Sequence, residues 1–527
     1  MKDKFNLVKS FPAELKEWKY KIEKIAEEEG LTYFDIIFEM VDWDALYQIA
    51  ARGGFPERFP HWTFGQEYDH MYKQHKFGVM RISEMVINTD PVYAYLMTSN
   101  DLIDQKMVIA HVYGHADFFK NNMWFNKTDR KMLSTMGNHS KIIKRYIDKY
   151  GAQEVEDFID ICFSIDTLID RHSIFINRDL NEKDGKIIDN KKEDGDDDGA
   201  LIFDVDPERF YMNDFLNPTK KLDKEREDHK KKIKEEEESD KDLPEKDLLK
   251  FLIKRAPLKP WQKHILSLIR EEAYYFAPQG MTKIMNEGWA SYWHSHILSK
   301  RQICDDSEIV QFATHHAGTM GSSGNLNPYK LGLEIFLDIE ERWNKGRFGK
   351  EWEECDDLDT KENWDKELGL GREKIFEVRK LYSDIGFIDE FFTKELCEKL
   401  KLFNYDKREV SEYGNSKSDK ILVLTDREFD KIKQRLLFSL SNHGLPALSI
   451  TNADAEGRGM LLLEHSTDTD YIFNVDDAKL VCKNIRRLWK KPVKIELVNS
   501  KEKYIYNNSG GDTAMTTGSL SNSSIVP

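Results

Sequence analysis

The sequence predicts a mainly α-helical protein: a large helical domain over residues 1–402 with a charged insertion at 181–250, then a small α+β module at 418–500. Three observations point there. From about Leu15 to Ile176 apolar residues recur at three and four positions, as in WKYKIEKIAEEEGLTYFDIIFEMVDWDALYQIA, with short turn signals such as GGFPERFPHW, NTDP and KNN between the runs. The same period returns in DLLKFLIKRAPLKPWQKHILSLIREEAYYFAPQGMTKIMNEGWASYWHSHILSKR and continues, past HHAGTMGSSGNLNP, to about Leu402. Beyond it the pattern changes to period two around KILVLTD, PALSITNAD, GRGMLLLEHS and VKIELVNS.

Each part has its own reason. The two helical stretches are expected to share one core. Between them, NEKDGKIIDNKKEDGDDDG and KKLDKEREDHKKKIKEEEESDKD are almost wholly charged and cannot bury enough apolar area to offset the entropy of ordering. In the last part, helices over REFDKIKQRLLFSLSNHG and DDAKLVCKNIRRLWKK alternate with the strands in the order βαββαβ, the ferredoxin-like unit. Residues 501–527, ending NNSGGDTAMTTGSLSNSSIVP, are low in complexity and read as a disordered tail.

Composition narrows the function. With 40% hydrophobic and 33% charged residues and no apolar run near the roughly 18 needed to cross a bilayer, no membrane span is expected. The start, MKDKFNLVKSFPAELKEWKYK, has no signal-peptide stretch, so the cytoplasm is the expected location. Five scattered cysteines without a CxxC pair indicate neither a disulfide framework nor a zinc ribbon. A formal net charge of -16 argues against nucleic acid as a partner.

The segment HVYGHADFFKNN places His111 and His115 four positions apart. On a helix over 102–120 their side chains lie about 40° apart around the axis, so both imidazoles reach one ion from the same face. Zinc, or another divalent transition metal, then needs a third protein ligand, commonly a carboxylate. Glu287 in NEGWASYWH is the candidate, sharing a helix face with Ser291 and His294 beside three large aromatics that could wall off a dry site. The plainer alternative is a pair of core histidines and a first-turn acid favoured by the helix dipole.

In a helical zinc protease the residue after the first histidine is the glutamate that activates water, and here it is Val112. A substitute proton acceptor is sought among His294, His315, His316, Glu84 and Asp117. Asp117 could instead pair with Lys120, and the two adjacent histidines could sit in a surface turn.

Other signals are weaker. Asp194, Asp196, Asp198 and Gly199 match the start of a calcium loop, but the twelfth position is Val205, so a solvated acidic linker is the better reading. Glu67 and His70 form a single ExxH, to which Glu84 and Asn88, on one helix face, could add for a dinuclear centre. GSSGNLNPYKLG lacks the lysine-serine ending of a phosphate cradle.

Long aromatic-rich segments carry a family resemblance: FPHWTFGQ (59–66), EMVINTDPVYAYLM (84–97), the histidine helix, PWQKHILSLIREEAYYFAPQGMTKIMNEGWASYWH (260–294), NPYKLG (327–332) and SDIGFIDEFF (383–392). In order and over nearly the whole chain up to residue 400, they resemble the stage V sporulation protein R family of bacteria. NHGLPALSI, GRGMLLLEH and LWKKPVKIE are similar to that family's final region. The resemblance implies a cytoplasmic protein of spore-cortex formation or stress adaptation, and no established reaction. More remotely, a histidine pair followed by EGWA resembles helical gluzincin peptidases, which implies His111, His115 and Glu287 as ligands; Val112 keeps the peptidase activity from carrying over. Two expectations follow: a metallohydrolase-like enzyme with His294 and one of His315 or His316 behind the ligands or moving protons, or a non-enzymatic protein whose α+β module binds a partner such as a kinase or regulatory complex.

Overall fold

The computed structural model describes residues 11–77, 82–175, 245–321, 326–402, 404–411, 418–426, 428–441, 448–455, 457, 459–466, 475–498, 503–508 and 514–518. Most of the charged insertion, including the calcium-like loop, lies outside the described residues, as does part of GSSGN. The chain divides into two compact units, Met1–Glu156 with Tyr274–Leu445, and Asp157–Ala273 with Pro446–Pro527.

The first unit is mainly helical. Its elements begin with α1 (Ala13–Glu28), β1 (Ile36–Val41), α2 (Trp43–Ala51), α3 (Trp62–Lys76), β2 (Glu84–Ile87), β3 (Val92–Met97), α4 (Leu102–Asn121) and α5 (Met132–Tyr150). Helices α6 (Ala152–Phe163), α7 (Leu248–Arg255) and α8 (Pro260–Met281) follow. The unit resumes with α9 (Lys283–Ser295), α10 (Ile309–Thr319), α11 (Pro328–Lys345), α12 (Gly371–Leu381), α13 (Asp384–Phe391) and α14 (Lys394–Lys399).

The three strands correct the all-helical reading of the first 176 residues. IIFEMV and VYAYLM are short runs rich in β-branched and aromatic residues between turn signals, where helical and strand periods cannot be told apart. They form a sheet in the order β1-β3-β2, with β1 parallel and β2 antiparallel to the central β3. Glu84 therefore stands on an edge strand, and it shares no helix face with Asn88.

Helix α4 is buried along almost its whole length, its polar residues Asp104, Gln105, Lys106 and Asp117 included. Val112, Tyr113 and Phe118 enter the main core with Trp289, Trp293 and Phe336. Helix α9 packs between α4 and α11, and small residues permit the close approach. A Cβ added at Gly114 would lie 2.7 Å from the Ala290 Cα, and one at Gly332 would lie 2.7 Å from the Gly288 Cα. The first turn of α9 is held by Asp384, which accepts the N–H groups of Ile284 and Met285 at 2.8 Å each. Burial pushes the Asp384 carboxyl up to about 7.

The strand and helix order expected for the C-terminal module is present: β5 (Ser418–Asp426), α15 (Phe429–Leu440), β6 (Ser449–Ala455), β7 (Met460–Ser466), α16 (Val475–Trp489) and β8 (Val493–Val498), preceded by β4 (Asn404–Ser411). The pairing differs from a ferredoxin-like unit. β5 pairs antiparallel with β4 in a two-stranded sheet of the first unit, whereas the second unit holds a five-stranded sheet in the order β10-β9-β8-β7-β6. Here α16 connects the parallel neighbours β7 and β8. The last two strands, β9 (Lys503–Asn508) and β10 (Ala514–Gly518), fall in the stretch read as a tail. KYIYNN holds three consecutive aromatic or β-branched residues, Tyr504, Ile505 and Tyr506, and pairs antiparallel with β8. In the second unit Phe251 of α7 packs on Trp489, their rings 5.5 Å apart, and Asn484 donates to Ser164.

Candidate metal centre

Helix α4 presents His111 and His115 one turn apart, their rings edge to face with centroids 4.5 Å apart. Helix α9 brings Glu287 against both. Its Oε2 lies 3.5 Å from the His111 Nε2 and 3.5 Å from the His115 Nε2. Among the described residues this trio is the group of metal-ligating side chains whose ligand atoms converge, all within 4.8 Å of one another. Three ligands about 2 Å from a tetrahedral centre stand about 3.3 Å apart, so the spacing fits an ion of zinc size. Glu287 Oε2 is buried and has no hydrogen-bond partner. A buried carboxylate oxygen without a donor is costly unless something else satisfies it. The donor set, two imidazoles and one carboxylate, suits a divalent transition metal.

The second nitrogens of both imidazoles are engaged. His115 Nδ1 lies 2.9 Å from the Asn286 Oδ1, a contact in which the ring N–H donates to the amide oxygen and Nε2 is left to face Glu287. His111 Nδ1 lies 3.0 Å from the Nδ1 of His294, whose Nε2 lies 3.1 Å from the half-buried His316 Nδ1. Three imidazoles thus run from Glu287 toward α10. His315 turns the other way and pairs with Asp104.

Charge within the site is balanced against burial. Burial raises the Glu287 pKa, but His115, His111 and Lys283 outweigh it and hold the carboxylate below its usual value. Burial lowers His111, but the neighbouring carboxylates of Glu287 and Glu84 reverse the direction, so His111 is raised. His115 is pushed down to about 4 by burial and by the charge of His111. Burial raises Glu84, whose Oε1 stands 3.9 Å from the His111 Nε2.

Of the sequence candidates, His111, His115, Glu287, His294, His316 and Glu84 come together, and His315 and Asp117 do not. Asp117 accepts from the Thr32 N–H and the Trp289 Nε1–H and lies 3.3 Å from the Arg379 Nε, in the core beneath the site. Trp289 and Trp293 do not wall the site: they pack against Phe376, and Trp289 also meets Phe336. Val112 is fully buried in the main core. Glu67 and His70 are exposed on α3, and His70 meets Gln74, so no dinuclear centre forms there.

Tyr329 is the functional-site residue that residue spacing missed. It stands in the first turn of α11, its ring stacked on His111 at 6.2 Å and its phenol in the field of Glu287. The charge of Glu287, then burial, pushes that phenol well above the ordinary tyrosine value. Its one sequence signal is its place in NPYKLG, where Asn327 caps the helix by accepting the Lys330 N–H.

A family model described as SpoVR like protein matches residues 10–445. A relative named only as the uncharacterized protein YcgB of Escherichia coli strain K12 is 26% identical over 512 residues, covering 91% of this chain and 91% of its own. No solved structure matches the chain. Among the described residues no helix is long and apolar enough to cross a membrane.

Proposed function

The chain belongs to the family of SpoVR-like proteins, and on that premise we propose that it is a metal-dependent hydrolase whose ion is held by His111, His115 and Glu287. The observation that carries this reading is the buried, donorless Glu287 Oε2 placed equally far from two imidazole nitrogens. Such an ion, when bound, supplies Lewis acidity that polarises a carbonyl group and acidifies water.

The chain's own groups divide the remaining work. Glu84 is the proton acceptor that Val112 cannot be: it lies beside His111, outside the ligand trio, and burial raises its pKa toward the range useful for a general base. Asn286 and His294 fix the rings of His115 and His111, and His294 links the site to His316 near the surface. Tyr329 stacks on His111 and adds a phenol hydroxyl beside the charge of Glu287. We assign the activity to spore-cortex or envelope formation or to stress adaptation, in the cytoplasm.

Elemental analysis of the purified full chain tests the reading, with His115→Ala as the control. Stoichiometric zinc or another transition metal in the wild type, lost in the variant, supports it, as does cleavage of a synthetic peptide library read by mass spectrometry. A wild type without metal, also after incubation with zinc, sinks the enzyme and leaves an interaction protein with a vacant site.

A further inference from the structure

Helix α10 is thinly anchored. Of its 11 residues only Phe312 is buried, and Ile309 and Val310 stand largely exposed. A helix this short is marginal on its own, and one buried side chain adds little packing. Polar ties to α4 supply the rest: Glu308, just before the helix, accepts from the buried Lys106 Nζ at 2.7 and 2.8 Å, and His315 pairs with Asp104. Phe312, the apolar anchor, stacks on the His316 ring with centroids 5.6 Å apart.

Two routes lead from this helix to His111. The first is the row of imidazoles, His316 Nδ1 to His294 Nε2 at 3.1 Å and His294 Nδ1 to His111 Nδ1 at 3.0 Å. Each contact needs one donor and one acceptor, and a neutral ring has one of each. With Nε2 committed to ligation, His111 carries its proton on Nδ1 and donates to His294, which must then carry its own proton on Nε2 and donate to His316. His294 is almost wholly buried, so its N–H depends on that acceptor. The second route leaves the other end of the helix. The Asn327 amide donates to the Thr319 and Gly321 carbonyls at 2.8 Å each, and its oxygen caps α11 two residues before Tyr329, whose ring stacks on His111.

We infer that His316 is a positioning residue for the candidate metal centre, acting through His294 on His111, and that the docking of α10 is thereby coupled to the occupancy of the site. Docked, α10 supplies the acceptor that fixes the His294 and His111 rings; undocked, it withdraws that acceptor. By linkage, the factor by which docking raises the affinity for the ion equals the factor by which the ion stabilises docking. The inference rests on the metal reading of the site and concerns its regulation.

Hydrogen exchange of the full chain, read by mass spectrometry with and without zinc, follows the docking of α10, and chelator competition gives the zinc affinity. In wild type, zinc should slow exchange in residues 309–319 about five- to tenfold. His316→Ala should abolish that slowing, while α4 still responds to zinc, and should weaken zinc binding by about the same factor. His316→Asn, whose amide oxygen can accept at the place of Nδ1, should retain both. His315→Ala loosens α10 without touching the row of rings, so it should speed exchange there in both states and leave the ratio between them unchanged. The same slowing in His316→Ala as in wild type, an Asn variant with the ratio of the Ala variant, or a wild type that binds zinc with no change in α10 would overturn the coupling and leave the metal site standing. A wild type that binds no zinc sinks the metal reading and the coupling with it.

Discussion

Gly288 and Gly332 touch through their backbones, so that a Cβ built on Gly332 would stand 2.7 Å from the Gly288 Cα. The contact matters beyond its own packing because Gly288 follows Glu287 and Gly332 lies three residues after Tyr329, on the same face of α11. The helix crossing is what seats the phenol against the carboxylate. Gly332→Ala should force α9 and α11 apart, at a cost of about 1–3 kcal/mol as in other overpacked cores. Thermal melts should show the lower transition, and metal content should fall with it. An alanine variant that melts and binds metal like wild type would show that the crossing can relax without disturbing the site.

Asn286→Ala should weaken metal binding by about 10–100-fold, the usual effect of removing the partner that orients a ligating imidazole. His115 keeps its place on α4 but loses the acceptor of its Nδ1–H. Chelator competition gives the affinity directly, and equal affinities in the two proteins would remove Asn286 from the site.

Glu84→Gln separates holding the ion from using it. The amide keeps the size of the side chain but accepts no proton, so turnover of a peptide cleaved by wild type should drop by about 10²–10⁴ while metal content is unchanged. Loss of metal along with activity would make Glu84 a ligand instead of a base.

Asp384 should make stability depend on pH. Its folded pKa, about 7, lies above the ordinary carboxyl value of 3.8, chiefly because it is buried. Between about pH 4 and 7 the folded state therefore holds more protons than the unfolded chain, and the group's contribution falls as pH rises through that window, then stays level. The difference in melting temperature between wild type and Asp384→Asn should shrink from pH 5 to pH 8. A difference that widens would reverse the assignment.

What the residues disclose before folding, and what they withhold, divides along physical lines. Helix α4 and its two imidazoles are legible because a spacing of four fixes one helix face whatever the surroundings, and Glu287 is legible as an acid in an apolar helix. Tyr329 is not, since its approach to Glu287 depends on a crossing of two glycines 44 positions apart in the chain. Glu84 is visible as a candidate, but its strand is not, because EMVI is too short for its period to tell strand from helix. In the C-terminal module the order of elements follows from local pattern, but β5 pairs with the strand just before it, β4, whose NYDKREVS is too rich in charged and polar residues to read as a strand.

Val112 is buried at the place where a helix-borne base would sit, so Val112→Glu would put a charge into the core and restore nothing. On the proposed chemistry the reactive carboxylate arrives from a strand, where Glu84 stands opposite Leu96 of β3. A slip of one residue between these two strands would turn it to the opposite face of the sheet. The identity of the proton acceptor is thus stored in hydrogen-bond registry between β2 and β3, and a drift of the gene that lengthened or shortened the NTDP turn by one codon could silence the chemistry with every ligand still in place.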